Sequence, residues 1–330
     1  MARNVCIIGD GGWGTALALV LHERGHRVTV WGPFPEYIGK VRQTRRNEDY
    51  LPGVDIPAGI RWDADRDSAV QGADLVVVAV PTRFYRSVME SFAGLVPASA
   101  EVVSVAKGFD PQSHQRMTDV LADVLKRDDM AALSGPSHAE EVARRMPTAV
   151  VVASRSGKVV RSIQEAFSTA RFRVYTSDDV VGVELGGALK NVIAVGAGIV
   201  DGIGFGDNTR AALITRGLAE MIRLGVALGA RPATFAGLSG IGDLIVTCNS
   251  KLSRNHAVGE RLGRGENIGQ ILGSMKQVAE GVWNCAIACD LARQCQVQAP
   301  IAEEVHAVVH KGRNPIEAVE ALMSRDAKPE

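Results

Sequence analysis

"VCIIGDGGWGTALALVL", residues 5–21, runs from four apolar residues through a glycine turn into a helical pattern. Gly9, Gly11 and Gly14 stand in the spacing Gly-x-Gly-x-x-Gly, directly after a strand and at the opening of a helix. The first glycine of such a turn allows the tight reversal. The second lets backbone approach a pyrophosphate, and the third lets helix and strand pack closely. The helix start then offers unpaired N–H groups to the phosphates. The pattern alone is weak, but at the first strand of a parallel sheet it specifies a dinucleotide site.

The sequence around it has the matching texture. "NVCIIG" (4–9), "RVTVWG" (27–32), "DLVVVAV" (74–80), "EVVSVA" (101–106), "MAALSG" (130–135) and "TAVVVAS" (148–154) read as strands. Several are apolar on both faces, as parallel strands covered by helices are. Helical patterns such as 13–25 and 115–127 fall between them, so the N-terminal part is predicted to be α/β, a doubly wound, Rossmann-like parallel sheet. Near residue 177 the strands stop. From there "DNTRAALITRGLAEMIRLGVALG" (207–229) and its neighbours show only helical periods. The expectation is a dinucleotide-binding domain over 1–178 and an all-α substrate and catalytic domain over 179–330.

Composition narrows the partners. Lys plus Arg and Asp plus Glu are balanced at 37 each, which argues against nucleic acid and leaves small anions as guests of local sites. Five cysteines form no paired framework and fit reduced thiols in the cytoplasm. Cys285 and Cys289 are a helical turn apart without a second ligand pair, so they read as helix packing, with no metal site expected. "VCII" is too short for a signal-peptide core, and the most apolar stretch, "VIAVGAGIVDGIGFG", is interrupted by Asp201; no membrane span is expected.

The acid expected about twenty positions after the glycine turn, for the adenosine ribose, is missing. Trp31-Gly32-Pro33-Phe34 occupies that place, which leaves NAD and NADP both open. Ligands bind outside the carboxyl ends of such strands, and those ends carry Lys107 and the run Gly135-Pro136-Ser137. Lys107 reads either as a solvated lysine or as a site ammonium, and its place favours the site.

In the helical part, Lys190 and Asn191 sit in a nearly uncharged stretch behind Gly186 and Gly187, which would let another backbone come near. A lysine in apolar surroundings exchanges a proton near neutrality, as reduction of a carbonyl requires; a lysine snorkelling off a helix is the equal alternative. Asp243 reads as its partner or as a helix cap, with Thr247 one turn on. Ser253 is placed to cap a helix beginning at Arg254, whose positive end, with the Asn255 amide, would hold an anion such as phosphate.

Taken together, "IGDGGWGTALA", "VSVAKGF", "LSGPSHAEE", "ELGGALKNVIAVGAGI", "GIGDLIVTC" and "SRNHAVGERLGRG" make the chain resemble the bacterial-type NAD(P)-dependent glycerol-3-phosphate dehydrogenases from end to end. The resemblance implies reversible reduction of dihydroxyacetone phosphate to sn-glycerol 3-phosphate, supplying phospholipid synthesis. It implies Lys190 as general acid/base, assisted by Lys107 and Asp243. Substrate contacts are implied at Lys107, Gly135, Ser137, Lys190, Asp243, Ser253, Arg254 and Asn255, with Asn191 and Thr247 close by. Cofactor contacts, to NAD(H) and/or NADP(H), are implied at Gly12, Trp13, Lys107, Ala139, Arg254, Val278 and Glu280. Pro33-Phe34 replaces the Arg or His that relatives carry toward a 2′-phosphate. Ser137 and His138 stand where Thr and Phe are common, and Glu140 where Lys is usual.

Two other readings compete. A 3-hydroxyacid or 6-phosphogluconate-type dehydrogenase shares the architecture and a catalytic lysine, but the "GIGDLIVTC" and "SRN" pair argues against it. A non-catalytic dinucleotide sensor would have no use for Lys190, Asp243 and Arg254 together. The apolar helical part leaves room for a homodimer.

Overall fold

The computed structural model describes residues 1–275 and 277–326. The chain divides into two compact units, Met1–Glu184 and Leu185–Glu330. The first unit runs β1 (Asn4–Ile8), α1 (Gly12–Glu23), β2 (Arg27–Trp31), α2 (Pro35–Thr44), β3 (Arg46–Asn47), β4 (Leu51–Asp55), β5 (Arg61–Asp63) and α3 (Arg66–Val70). It continues through β6 (Leu75–Val78), α4 (Thr82–Ser91), β7 (Glu101–Ser104), α5 (Met117–Leu125), β8 (Ala131–Ser134), α6 (Ala139–Ala143), β9 (Thr148–Ser154), α7 (Gly157–Phe167) and β10 (Phe172–Ser177).

Eight of these strands form one sheet in the order β10-β9-β8-β7-β6-β1-β2-β5. Alternation along the strands sends side chains to two separate cores. Val5 and Ile7 pack with Leu17, Leu21, Ile38 and Ile163 on one face. Cys6 and Ile8 pack with Val70, Tyr85, Met89 and Leu121 on the other. Each face is covered by helices, which is why these strands tolerate no polar face. The order reverses at β1, which pairs with β2 on one side and β6 on the other. At that reversal a crevice opens at the strand ends, where a dinucleotide binds in folds of this kind.

The sheet departs from the expected all-parallel form at one edge. β9 pairs antiparallel to β8, and β10 then follows β9 in parallel. The connection from β8 to β9 holds only the short helix α6, Ala139–Ala143. The chain returns from it in the opposite sense, so β9 runs against β8. Four strands also have no counterpart among the predicted ones: β10 and β5, at the two edges of the large sheet, and the β3–β4 hairpin.

The second unit is helical throughout its described residues. It holds most of α8 (Val180–Ile203), then α9 (Asp207–Ala227), α10 (Pro232–Phe235), a π-turn over Leu238–Gly242, and α11 (Asp243–Asn249). α12 (Arg254–Gly263), α13 (Ile268–Gly273), α14 (Gly281–Gln294), α15 (Pro300–Lys311) and α16 (Pro315–Met323) follow. By length and composition α8 could cross a membrane, but its apolar window is 100% buried. It is the core helix of a folded domain.

Candidate functional site

In the first unit the glycine turn is locked by backbone contact. Gly9 has φ +125°, a conformation open chiefly to glycine, and a Cβ there would lie 2.6 Å from the Ala79 carbonyl oxygen beyond β6. Its N–H donates to the Trp31 carbonyl at 2.9 Å, tying the turn to the end of β2. A Cβ at Gly14 would strike the Gly9 carbonyl, so helix and strand pack at glycine distance. Around Gly11, by contrast, a Cβ would meet nothing within 4 Å.

That open face precedes α1, which has no acidic residue in its first turn and no side-chain cap on its N-terminal N–H groups. The indole N–H of Trp13 is buried without a partner. An open glycine, an uncapped positive helix end and an orphaned donor are the features a pyrophosphate needs. The residues present fit a dinucleotide.

The hairpin that sequence reasoning missed roofs this turn. Asn47 Nδ2 donates to the Asp10 carbonyl at 2.8 Å and to Thr15 Oγ1 at 2.7 Å, while Tyr37 Oη donates to Asn47 Oδ1 at 2.5 Å. The Tyr50 carbonyl lies where a Cβ at Gly12 would go, and Ala139 Cβ would be 3.7 Å from it. Gly12 and Ala139, both expected cofactor contacts, are therefore neighbours.

Lys107, Gly135 and Ser137 also come together. Lys107 Nζ donates to the Gly135 carbonyl at 2.7 Å and to Ser137 Oγ at 3.3 Å, and Ser137 Oγ donates to the same carbonyl at 2.9 Å. Lys107 is half-buried.

In the second unit Lys190 is 6% exposed and Asp243 1%. Lys190 Nζ donates to Asp243 Oδ1 at 2.9 Å and to Thr247 Oγ1 at 2.6 Å. The Thr247 hydroxyl in turn donates to the Asp243 carbonyl at 2.6 Å. The local fold explains this convergence. A Cβ at Gly186 would meet the Ser239 carbonyl, so only glycine lets the π-turn close on α8 and deliver Asp243 at the start of α11. Beside the cluster, burial pushes the Cys248 thiol up to about 12.

α12 starts where the sequence places it, with Ser253 Oγ accepting from the His256 N–H at 3.2 Å. Arg254 is exposed and Asn255 buried. Asn255 Nδ2 donates to Asn191 Oδ1 at 2.9 Å, and Asn255 Oδ1 accepts from the Gly281 N–H at 2.8 Å. Asn255 thus fastens the start of α12 to α8 and to α14. Glu280 and Val278 lie in the half-buried run leading into Gly281.

α8 and α12 touch through their backbones. A Cβ at Gly198 would strike the His256 carbonyl, one at Gly202 the Glu260 carbonyl, and one at Gly259 the Val195 carbonyl. His256 Nε2 and Asp201 Oδ2 are 2.8 Å apart, and Arg210 Nη1 meets both Asp201 oxygens at 2.9 and 3.0 Å. Among the described residues, no group of three His, Cys, Asp or Glu could hold a metal ion.

Comparison with known proteins covers both units. The family described as NAD-dependent glycerol-3-phosphate dehydrogenase N-terminus matches residues 4–160, and the corresponding C-terminus family matches 179–320. A glycerol-3-phosphate dehydrogenase (NAD(P)+) of Geobacter sp. strain M21 is 47% identical over 333 residues, covering 100% of this chain and 99% of that protein. One from Geobacillus thermodenitrificans is 48% identical, covering 99% and 96%. The crystal structure of glycerol-3-phosphate dehydrogenase from Coxiella burnetii superposes with a TM-score of 0.95 at 35% identity, covering 98% of this chain and 99% of that one.

Proposed function

The chain belongs to the NAD-dependent glycerol-3-phosphate dehydrogenase family, and on that premise we propose that it reversibly reduces dihydroxyacetone phosphate to sn-glycerol 3-phosphate. The observation that carries the mechanism is the buried Lys190 ammonium held between Asp243 and Thr247. A nicotinamide dinucleotide, when bound, supplies the hydride for the substrate C2.

Lys190 gives the proton to the C2 oxygen in reduction and takes it back in oxidation, so carbonyl, hydride and proton balance as the alcohol. Asp243 holds the ammonium in place, and Thr247 fixes its direction. The Ser253-capped start of α12, with the Arg254 side chain, takes the substrate phosphate. That remote grip orients the carbonyl, and its binding energy serves the reaction through position. Asn255 and Asn191 hold the helix start. In the first unit, Gly9, Gly11, Gly12, Trp13, Gly14 and Ala139 serve the dinucleotide. Lys107, with Gly135 and Ser137, presents hydrogen-bond donors to the substrate. Val278 and Glu280 belong to the cofactor side of this assignment.

The product feeds glycerophospholipid synthesis, and the five free cysteines suit the cytoplasm, where thiols stay reduced. A homodimer is part of this reading and is checked by light scattering. The activity is tested by following oxidation of NADH and NADPH with dihydroxyacetone phosphate. Turnover with that substrate supports the assignment. Turnover with 3-hydroxyisobutyrate and none with glycerol 3-phosphate would sink it.

A further inference from the structure

The end of β2 carries no acid for the adenosine ribose, yet an acid lies there in space. β1 and β2 pair in register up to Ile8 and Trp31, so Asp10 and Gly32 emerge side by side from adjacent strands. The Asp10 carboxyl fills the position that a side chain at Gly32 would occupy, with Ile38 Cδ1 2.7 Å from the same point. Only glycine at 32 admits it. Asp10 is 9% exposed, and its Oδ2 is buried with no hydrogen-bond partner.

We propose that Asp10, reaching across from the glycine turn, is the acceptor for the adenosine ribose 2′-hydroxyl and sets a preference for NAD(H) over NADP(H). The inference rests on the dinucleotide-dependent function assigned above. Burial of a carboxylate oxygen without a donor is costly, and a ribose hydroxyl is the donor such a site lacks. A 2′-phosphate would instead bring like charge against it.

The neighbouring acid does not compete for this role. Asp63, at the end of β5, accepts from Arg61, Ser68, Arg42 and the Asp65 N–H; burial pushes its carboxyl up, but the Asp65 N–H, Ser68 and Arg61 outweigh it and hold the carboxyl below the ordinary range. The same contacts tie Arg42 and Arg61 to Asp63, away from service as a 2′-phosphate clamp. Asp10 has no such set of donors; burial pushes its carboxyl up to about 6, with only its own backbone pulling the other way.

The test is calorimetric titration of the full chain with NADH, NADPH and 2′-deoxy-NADH, without substrate, for the wild type, Asp10→Asn and Asp10→Ser. The wild type should bind NADH about tenfold or more tighter than NADPH and than the deoxy cofactor, the worth of a charge-assisted hydrogen bond. Both variants should lose most of that discrimination, chiefly through weaker NADH binding. Melting curves with a single cooperative transition identify which variant is folded, and either one suffices. Equal wild-type affinities, no binding at all, or an unchanged ratio in a folded variant overturns the proposal. Because no turnover is read, a chain with Asp10-dependent NADH binding but no reduction of dihydroxyacetone phosphate would refute the assigned reaction and leave this inference standing.

Discussion

Lys190 Nζ and Asp243 Oδ1 lie 2.9 Å apart, far apart in sequence and both buried, with the Thr247 hydroxyl as second acceptor of the ammonium. Such a pair holds two different things at once, a charge balance and a reactive proton. Lys190→Met leaves the Asp243 carboxylate buried without its cation and should cost about 3–5 kcal/mol of stability. The double variant Lys190→Met/Asp243→Asn should recover much of the melting temperature. It should recover none of the turnover, which is expected to stay about 100-fold or more below wild type. Calorimetric melting with parallel kcat measurements checks both; near-normal turnover in either variant removes the proton role.

Adjacent residues at the start of α12 should separate binding from folding. Arg254 is exposed, whereas Asn255 is buried and bonded to Asn191 and Gly281. Arg254→Ala should raise KM for dihydroxyacetone phosphate about tenfold or more with little change in melting. Asn255→Ala breaks two buried hydrogen bonds and should lower stability by about 1–3 kcal/mol. A melting loss in the arginine variant equal to that in the asparagine variant would contradict the assignment.

The unliganded protein should register Asp10 in its pH dependence. Its carboxyl is raised from 3.8 to about 6 by burial, so the folded state holds a proton that the unfolded chain has already released in that window. Stability from this group is therefore present below about pH 4 and lost as pH rises through about 6, by about 3 kcal/mol at most. Asp10→Asn should flatten that part of the curve. Urea unfolding of wild type and variant across this range reads the difference; parallel curves would show that Asp10 does not titrate there.

The thiols should divide four to one. Burial pushes Cys6, Cys248, Cys285 and Cys289 up to about 12, and each is buried, while Cys295 is half-buried. A disulfide reagent at mild alkaline pH should label Cys295 alone in the native protein and all five after denaturation. Rapid labelling of Cys285 or Cys289 would mean that α14 opens readily.

Much of this was legible in the residues for identifiable reasons. Several of the six strands read from sequence are apolar on both faces, and burial on both faces is what makes a strand conspicuous. The Lys190 and Asp243 partnership was legible only as one of two readings, because charge in an apolar run wants a partner but a lysine can also snorkel out and an aspartate can also cap a helix. β5 and the β3–β4 hairpin escaped because they are short and carry Arg, Asp, Pro and Gly in place of an apolar run, and β10 because only its alternate residues Phe172 and Val174 are buried. The reversed edge at β9 escaped because strand direction is not written in a strand's own composition. Asp10 was in plain view inside the glycine motif, but its meaning depends on which strand β1 pairs with, and pairing is not written locally.

The glycine contacts between α8 and α12 make the second unit a ruler. Lys190 rides on α8 and Arg254 on α12, and the two helices meet backbone to backbone at Gly198, Gly202 and Gly259. Their spacing is thus fixed by main-chain geometry, with no side-chain rotamer to lengthen or shorten it. On the proposed roles of Lys190 as proton donor and Arg254 as phosphate grip, the backbones that carry the two groups share one fixed spacing. Chain-length selectivity would then draw on the helix pair as well as on any pocket wall.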